Sequence, residues 1–221
     1  SIVKKSKKII KGHSWDYDVF LKIKNVKNNS DLKNYAVFLD QCLPFHPTAA
    51  FRGENPKATK ENYYPALNNF FEIFEKKTGL EVIFAAHPRS RYDLYPEYLY
   101  NRKYFFNQTA ELVKNSKIVL LHTTTSLSFA VLFKKPTIFL TSDEIKKSYD
   151  DFKINSYSRA MNSPLFNIDD KNNFNKIKNE KNYFSIDQVK YQEYFDKYIK
   201  FPGSPDNFLW NVLLDDFSDT V

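Results

Sequence analysis

Four short apolar runs punctuate the chain, and each meets a polar residue at its carboxyl end: Ala36-Val37-Phe38-Leu39 before Asp40, Val82-Ile83-Phe84-Ala85-Ala86 before His87, Ile118-Val119-Leu120-Leu121 before His122, and Thr137-Ile138-Phe139-Leu140 before Thr141. They are continuous rather than alternating, the pattern of strands buried on both faces of a parallel sheet. A fifth, weaker run covers Pro164 to Ile168 before Asp169. Between the runs the spacing turns helical. Tyr63, Leu67, Phe70, Phe71 and Phe74 recur at three and four residues, lysines close the last turn and Gly79 stops it, which predicts a helix over 62–77. Shorter helices are expected over 109–115 and 126–134, the latter ended by Pro136. Tyr191, Tyr194, Phe195 and Tyr198 share one face of a helix over 187–200, and Ser204-Pro205-Asp206 reads as the opening of a last one.

Strand and helix in alternation predict an α/β fold, with one parallel sheet, right-handed crossovers and helices on both faces. Three parts are expected: a basic, Asn-rich lead-in over 1–34, a nucleotide-binding domain over 35–186, and carboxyl-terminal helices over 187–221 that pack back on it. The stretch 169–181 is the most loop-like. Neither an internal repeat nor a heptad pattern is present.

Composition narrows the partners. The chain has 221 residues, 42% of them hydrophobic, which suffices for one core. Its single cysteine, Cys42, excludes an intramolecular disulfide and any multi-cysteine metal site. No run approaches the roughly 18 to 20 apolar residues of a membrane span, and residues 1–11 lack the apolar stretch of a signal peptide, so a cytoplasmic location is expected. The net charge of +7 favours an anionic partner. Aromatic residues lie on helical faces rather than interleaved with Arg on a strand platform, which argues against nucleic acid. Only four glycines occur, Gly12, Gly53, Gly79 and Gly203, none near another. That excludes the dinucleotide fingerprint and the P-loop.

In an open parallel sheet, ligands bind beyond the carboxyl ends of the strands. The polar residues after the runs should therefore converge: Asp40, His87, His122 with Thr123 to Ser126, and Thr141 to Glu144. Thr123, Thr124, Thr125 and Ser126 are four successive hydroxyl residues between a strand and a helix, where hydroxyls and amides can hold phosphate without glycine. Capping would use one of them. His87 is followed by Pro88, Arg89, Ser90 and Arg91, an imidazole and two guanidiniums suited to phosphate. Asp40 heads a polar turn and reads as a sugar-binding group, a base or a turn cap. A metal site from Asp40, His46, His87 and His122 lacks any supporting spacing. Cys42 has no nucleophile signature, and no serine sits in a hydrolase elbow.

Two motifs carry a family likeness: His87-Pro88 after the second strand, and Thr124-Thr125-Ser126 at a helix start with Phe129 to Pro136 behind it. Over about residues 36–145 the chain resembles the carboxyl-terminal half of GT-B-type bacterial surface-polysaccharide glycosyltransferases, especially sialyltransferases and polysialyltransferases of capsule synthesis. The resemblance implies a single Rossmann-like, GT-B-type nucleotide-binding domain. It implies that His87 contacts the donor phosphate or stabilises the leaving group, as a catalytic residue, and that Thr124, Thr125 and Ser126 bind the phosphate. From their place at the sheet edge, Asp40 is a further catalytic candidate, and Arg89, His122, Thr123 and Glu144 are further nucleotide-binding candidates. The donor would be a CMP- or UDP-linked sugar, with a glycan acceptor and no separate cofactor or metal. The acidic base motif that such enzymes carry in their amino-terminal domain is absent from this sequence, so the resemblance implies an acceptor-binding domain supplied elsewhere, and association with the inner membrane face. Two other readings share this sheet type: a nucleotide-sugar 2-epimerase-like enzyme, and a non-catalytic nucleotide- or partner-binding module.

Overall fold

The computed structural model describes residues 9–27, 32–46, 51–170 and 183–218. In chain order the elements are α1 (Trp15–Ile23), β1 (Tyr35–Leu39), α2 (Lys60–Thr78), β2 (Glu81–Ala86), β3 (Tyr104–Phe106), α3 (Thr109–Asn115), β4 (Ile118–Leu121), α4 (Leu127–Leu132), β5 (Thr137–Thr141), α5 (Tyr149–Ala160), β6 (Leu165–Asn167), α6 (Gln188–Tyr194) and α7 (Leu209–Ser218). The six strands form one sheet in the order β3-β2-β1-β4-β5-β6. Every pairing is parallel. This is the Rossmann-like, doubly wound α/β arrangement.

Alternation along the strands divides the core. One face presents Phe38, Phe84 and Phe166 to α2. Phe38 meets Phe71 with ring centroids 5.2 Å apart, Phe71 meets Phe84 at 5.7 Å, and Phe70 meets Phe166 at 6.0 Å. Burial of each such ring is worth about 1.5–3 kcal/mol, and these contacts hold α2 against that face. Gly79 then takes a left-handed φ of 69°, which lets α2 stop and feed β2 within two residues. The opposite face is layered. Tyr35 donates to the Leu112 carbonyl of α3 at 2.8 Å, Tyr191 of α6 donates to the Lys135 carbonyl at 2.7 Å, and α1 lies outside α4 with Phe20 against Phe133 at 5.2 Å.

Several boundaries differ from the sequence pattern, each for a physical reason. Residues 15–23, expected within a lead-in, form α1, because Val19, Phe20 and Ile23 give it an apolar stripe that packs on the core. β3 is a sixth strand, only three residues long and half-buried at the sheet edge. α5 carries no apolar period: its buried residues Asp150, Ile154 and Ser158 fall four apart, but two of the three are polar. α4 is shorter than expected. The last helix opens at Leu209 rather than at Ser204-Pro205-Asp206, with the Asp18 carboxylate accepting the Leu209 amide at 2.9 Å as its cap. The expected helix over 187–200 ends as α6 and continues as a π-helical turn over Phe195–Ile199. Segments 10–18 and 199–209 run side by side. Ser14 donates to the Ile199 carbonyl at 2.6 Å, Phe201 donates to that of Gly12 at 3.0 Å, and His13 pairs antiparallel with Lys200. Most of the 169–181 stretch lies outside the described residues. Among the described residues no helix is long and apolar enough to cross a membrane.

Candidate functional site

Because every strand is parallel, the residues after β1, β2, β4 and β5 share one edge. From β1 the chain winds toward β3, then returns to β4 and winds the other way, so the crevice at this edge opens between β1 and β4. Gln41 spans that crevice. Its side-chain amide donates to the Thr123 carbonyl and its side-chain oxygen accepts the Thr123 amide at 3.0 Å. Gln41 belongs to the site, although in sequence it is merely one polar residue of a turn.

Asp40 is buried and fully engaged. One oxygen accepts the Cys42 amide at 2.7 Å, and the other accepts the His87 amide at 3.2 Å and the Tyr92 hydroxyl at 3.0 Å. Burial pushes its pKa up, and these donors push it back down. The carboxylate thus ties the β1 turn to the β2 turn and to Tyr92. With both oxygens occupied, the carboxylate holds the His87 amide in place.

His122 is enclosed in the core rather than set in the crevice. Its Nδ1 lies 2.7 Å from the Leu140 carbonyl and its Nε2 lies 2.8 Å from the Tyr63 hydroxyl. A carbonyl only accepts, so Nδ1 carries the proton and Nε2 accepts from Tyr63. Burial lowers its pKa to about 4. His122 thus links β4, β5 and α2 as a buried, neutral ring.

The hydroxyl row that follows is used sparingly by the protein itself. Ser126 occupies the N-cap position of α4 without a side-chain capping bond. The Thr124 hydroxyl accepts the Ser126 amide at 3.2 Å, and the amides of Leu127, Ser128 and Phe129 close tight turns onto the carbonyls of Thr124, Thr125 and Ser126. Among the described residues, the hydroxyls of Thr123, Thr125 and Ser126 and the amides of Thr124 and Thr125 make no hydrogen bond within the chain. The donors open to a ligand therefore sit just upstream of the helix.

At the end of β2, His87 accepts the Arg89 amide on Nδ1 at 3.2 Å, which leaves Nε2 as the protonated, outward donor. His46 stands against it with ring centroids 5.2 Å apart at 58°. Burial lowers both imidazoles, assisted at His87 by Arg89 and at His46 by His87, Lys57 and Arg89. Asp150 opposes this at His46, but it is already paired with Lys57 and Lys153. Near neutrality both rings are therefore mainly uncharged, and they gain charge as pH falls. Sulfate is expected to bind more tightly as pH falls below neutrality, since a bound anion favours the charged rings. An NMR titration of the imidazole resonances checks this, and an affinity independent of pH would separate the pair from anion binding.

Glu144 is engaged within the chain. Its carboxylate accepts the amide and hydroxyl of Thr59 at 2.7 and 2.9 Å and the Asn62 side chain at 2.9 Å. These bonds outweigh its partial burial and hold its pKa below the ordinary value. It caps α2 from 85 residues away and fixes one wall of a cavity of about 610 Å³. The volume lies in the range that holds small-molecule ligands, and Arg52, Lys57, Lys147 and Lys153 give its lining a cationic excess over Glu54, Glu144 and Asp150. Among the described residues no group of three or more His, Cys, Asp or Glu side chains converges to hold a metal ion.

No family model matches this chain, and no curated protein matches it. Among solved structures it is similar to the UDP-GlcNAc 2-epimerase of Methanocaldococcus jannaschii in complex with UDP-GlcNAc and UDP, with 16% identity and a TM-score of 0.40. The match covers 81% of this chain and 47% of that one, so the chain spans about half the length of that protein.

Proposed function

We propose that this chain is the donor-binding domain of a glycosyltransferase that moves a sugar from a CMP- or UDP-linked donor to a surface glycan. The observation that supports it best is the hydroxyl row at the crevice. Capping would have consumed one of these side chains, yet three hydroxyls and two amides are left open where an α/β sheet binds ligands. The donor phosphate lies against Thr123 to Ser126, and His87 donates from Nε2 as negative charge grows on the departing nucleotide. Arg89 adds a guanidinium beside it. Asp40 and Gln41 position these groups, and Glu144 shapes the cleft. With Asp40 occupied, the base that activates the acceptor comes from an acceptor-binding domain. The chain's positive charge suits work at the inner membrane face.

Replacing Thr124 and Thr125 by Ala is expected to lower nucleotide affinity by roughly 1 to 3 kcal/mol in calorimetry, if both hydroxyls bond charged phosphate oxygens. Thr125→Ala alone is the cleaner probe, because the Thr124 hydroxyl also accepts the Ser126 amide. Nucleoside without phosphate should barely respond. Equal losses for nucleotide and nucleoside would mean that the row shapes the pocket rather than holding phosphate, and the reading would fall.

A further inference from the structure

A second cavity, of about 150 Å³, lies beside the His87 turn. Phe45, Tyr95 and Tyr98 wall it, Cys42 and the buried Tyr92 back it, and Arg89 and Arg91 complete the lining. It is the size of a cavity that takes a single benzene ring. Its platform is rigid: Tyr98 stacks on Tyr64 with centroids 4.6 Å apart and planes within 11°. Tyr92 is fixed through its bond to Asp40. Phe45 and Tyr95 nevertheless leave 45% and 48% of their surface in solvent, so two aromatic rings border the slot without being needed by the core.

The chemistry of the walls selects the guest. A sugar would have to bury hydroxyls against aromatic carbon, at a cost that one pair of guanidiniums cannot offset around a whole ring. A planar heteroaromatic ring stacks on such walls and presents its polar atoms at one edge, where Arg can donate. Chain adjacency supplies the rest of the ligand. Phe45 precedes His46, and Arg89 lies two residues beyond His87, so the slot adjoins the imidazole pair on both turns.

We propose that this slot is the base-reading subsite of the chain: it takes the pyrimidine ring of a nucleotide, with Arg89 and Arg91 donating to the ring's carbonyl and nitrogen acceptors while the phosphate extends past His46 and His87 toward Thr123 to Ser126. The inference rests on the nucleotide-binding reading above and adds the residues that choose the base. A fused purine exceeds the slot and binds with its base outside.

The test is calorimetry on the full chain with CMP, UMP, AMP and ribose 5-phosphate, using wild type, Phe45→Ala and Tyr95→Ala, each checked for an unchanged melting temperature. Wild type should bind CMP and UMP at least ten-fold tighter than AMP. Each variant should lose about ten-fold or more for CMP, the scale of one lost stacking partner, while ribose 5-phosphate is unaffected. Equal affinity of wild type for CMP and AMP overturns the slot and leaves nucleotide binding standing, as does unchanged CMP affinity in both folded variants. If none of the four ligands binds, the slot and the reading it rests on fall together.

Discussion

Acidification from pH 6.5 to about pH 4 is expected to cost the protein about 3 kcal/mol of stability through His122 alone. Unfolded, its imidazole titrates near 6.5; folded, burial holds it near 4. Between those values the unfolded chain binds a proton that the folded chain refuses, so stability is complete above 6.5 and drains away as pH falls toward 4. The chemistry is local. A proton on Nε2 would meet the Tyr63 hydroxyl, which must stop donating to the ring and is itself buried. Asp40 works in the opposite sense at the acid end, because its raised pKa makes the folded state the better proton acceptor there. Urea denaturation between pH 4 and 7 reads the slope, and His122→Gln, whose amide can donate and accept without titrating, should flatten it. An unchanged slope in that variant would move the acid sensitivity to another group.

Removing the Asp40 side chain should be as costly as a large core truncation. Asp40→Ala strands two amides and a phenol in a buried space, each worth about 1 to 3 kcal/mol when unsatisfied, and a combined loss of roughly 3 to 5 kcal/mol is expected since the three share one site. Asp40→Asn keeps the shape but offers one acceptor oxygen in place of two. It should therefore fold with a smaller loss and mis-set the His87 turn, weakening phosphate ligands while sparing ribose without phosphate. Denaturation midpoints and calorimetry on the two variants separate this from a proton-transfer role. A fully stable Asp40→Asn with wild-type affinity would return Asp40 to the list of catalytic bases.

The strands were legible because burial on both faces writes an unbroken apolar run, as in Ile118 to Leu121. Tyr104-Phe105-Phe106 escaped because a three-residue edge strand has no room for a pattern. The edge at which Asp40, His87 and Thr123 gather follows from parallel strands alone. What each does there depends on contacts that sequence spacing does not encode. His122 lies two residues past Leu120, on the side that α2 covers, and that parity was the available clue to its enclosure. The bonds from Glu144 to Thr59 and from Gln41 to Thr123 cross more than 80 residues, and no local signal announces them. His46, visible in sequence only as one corner of an unsupported metal constellation, gains meaning from the ring beside it.

The pairing of segments 10–18 and 199–209 has a mechanical consequence. Tension applied through these two stretches would first load their short backbone ladder and the bond from the Tyr17 hydroxyl to Asp206. The six-stranded sheet would feel it only after that clasp had given way. The clasp gathers on the layered face, where Tyr17 meets Phe195, whereas the crevice opens at the carboxyl ends of the strands.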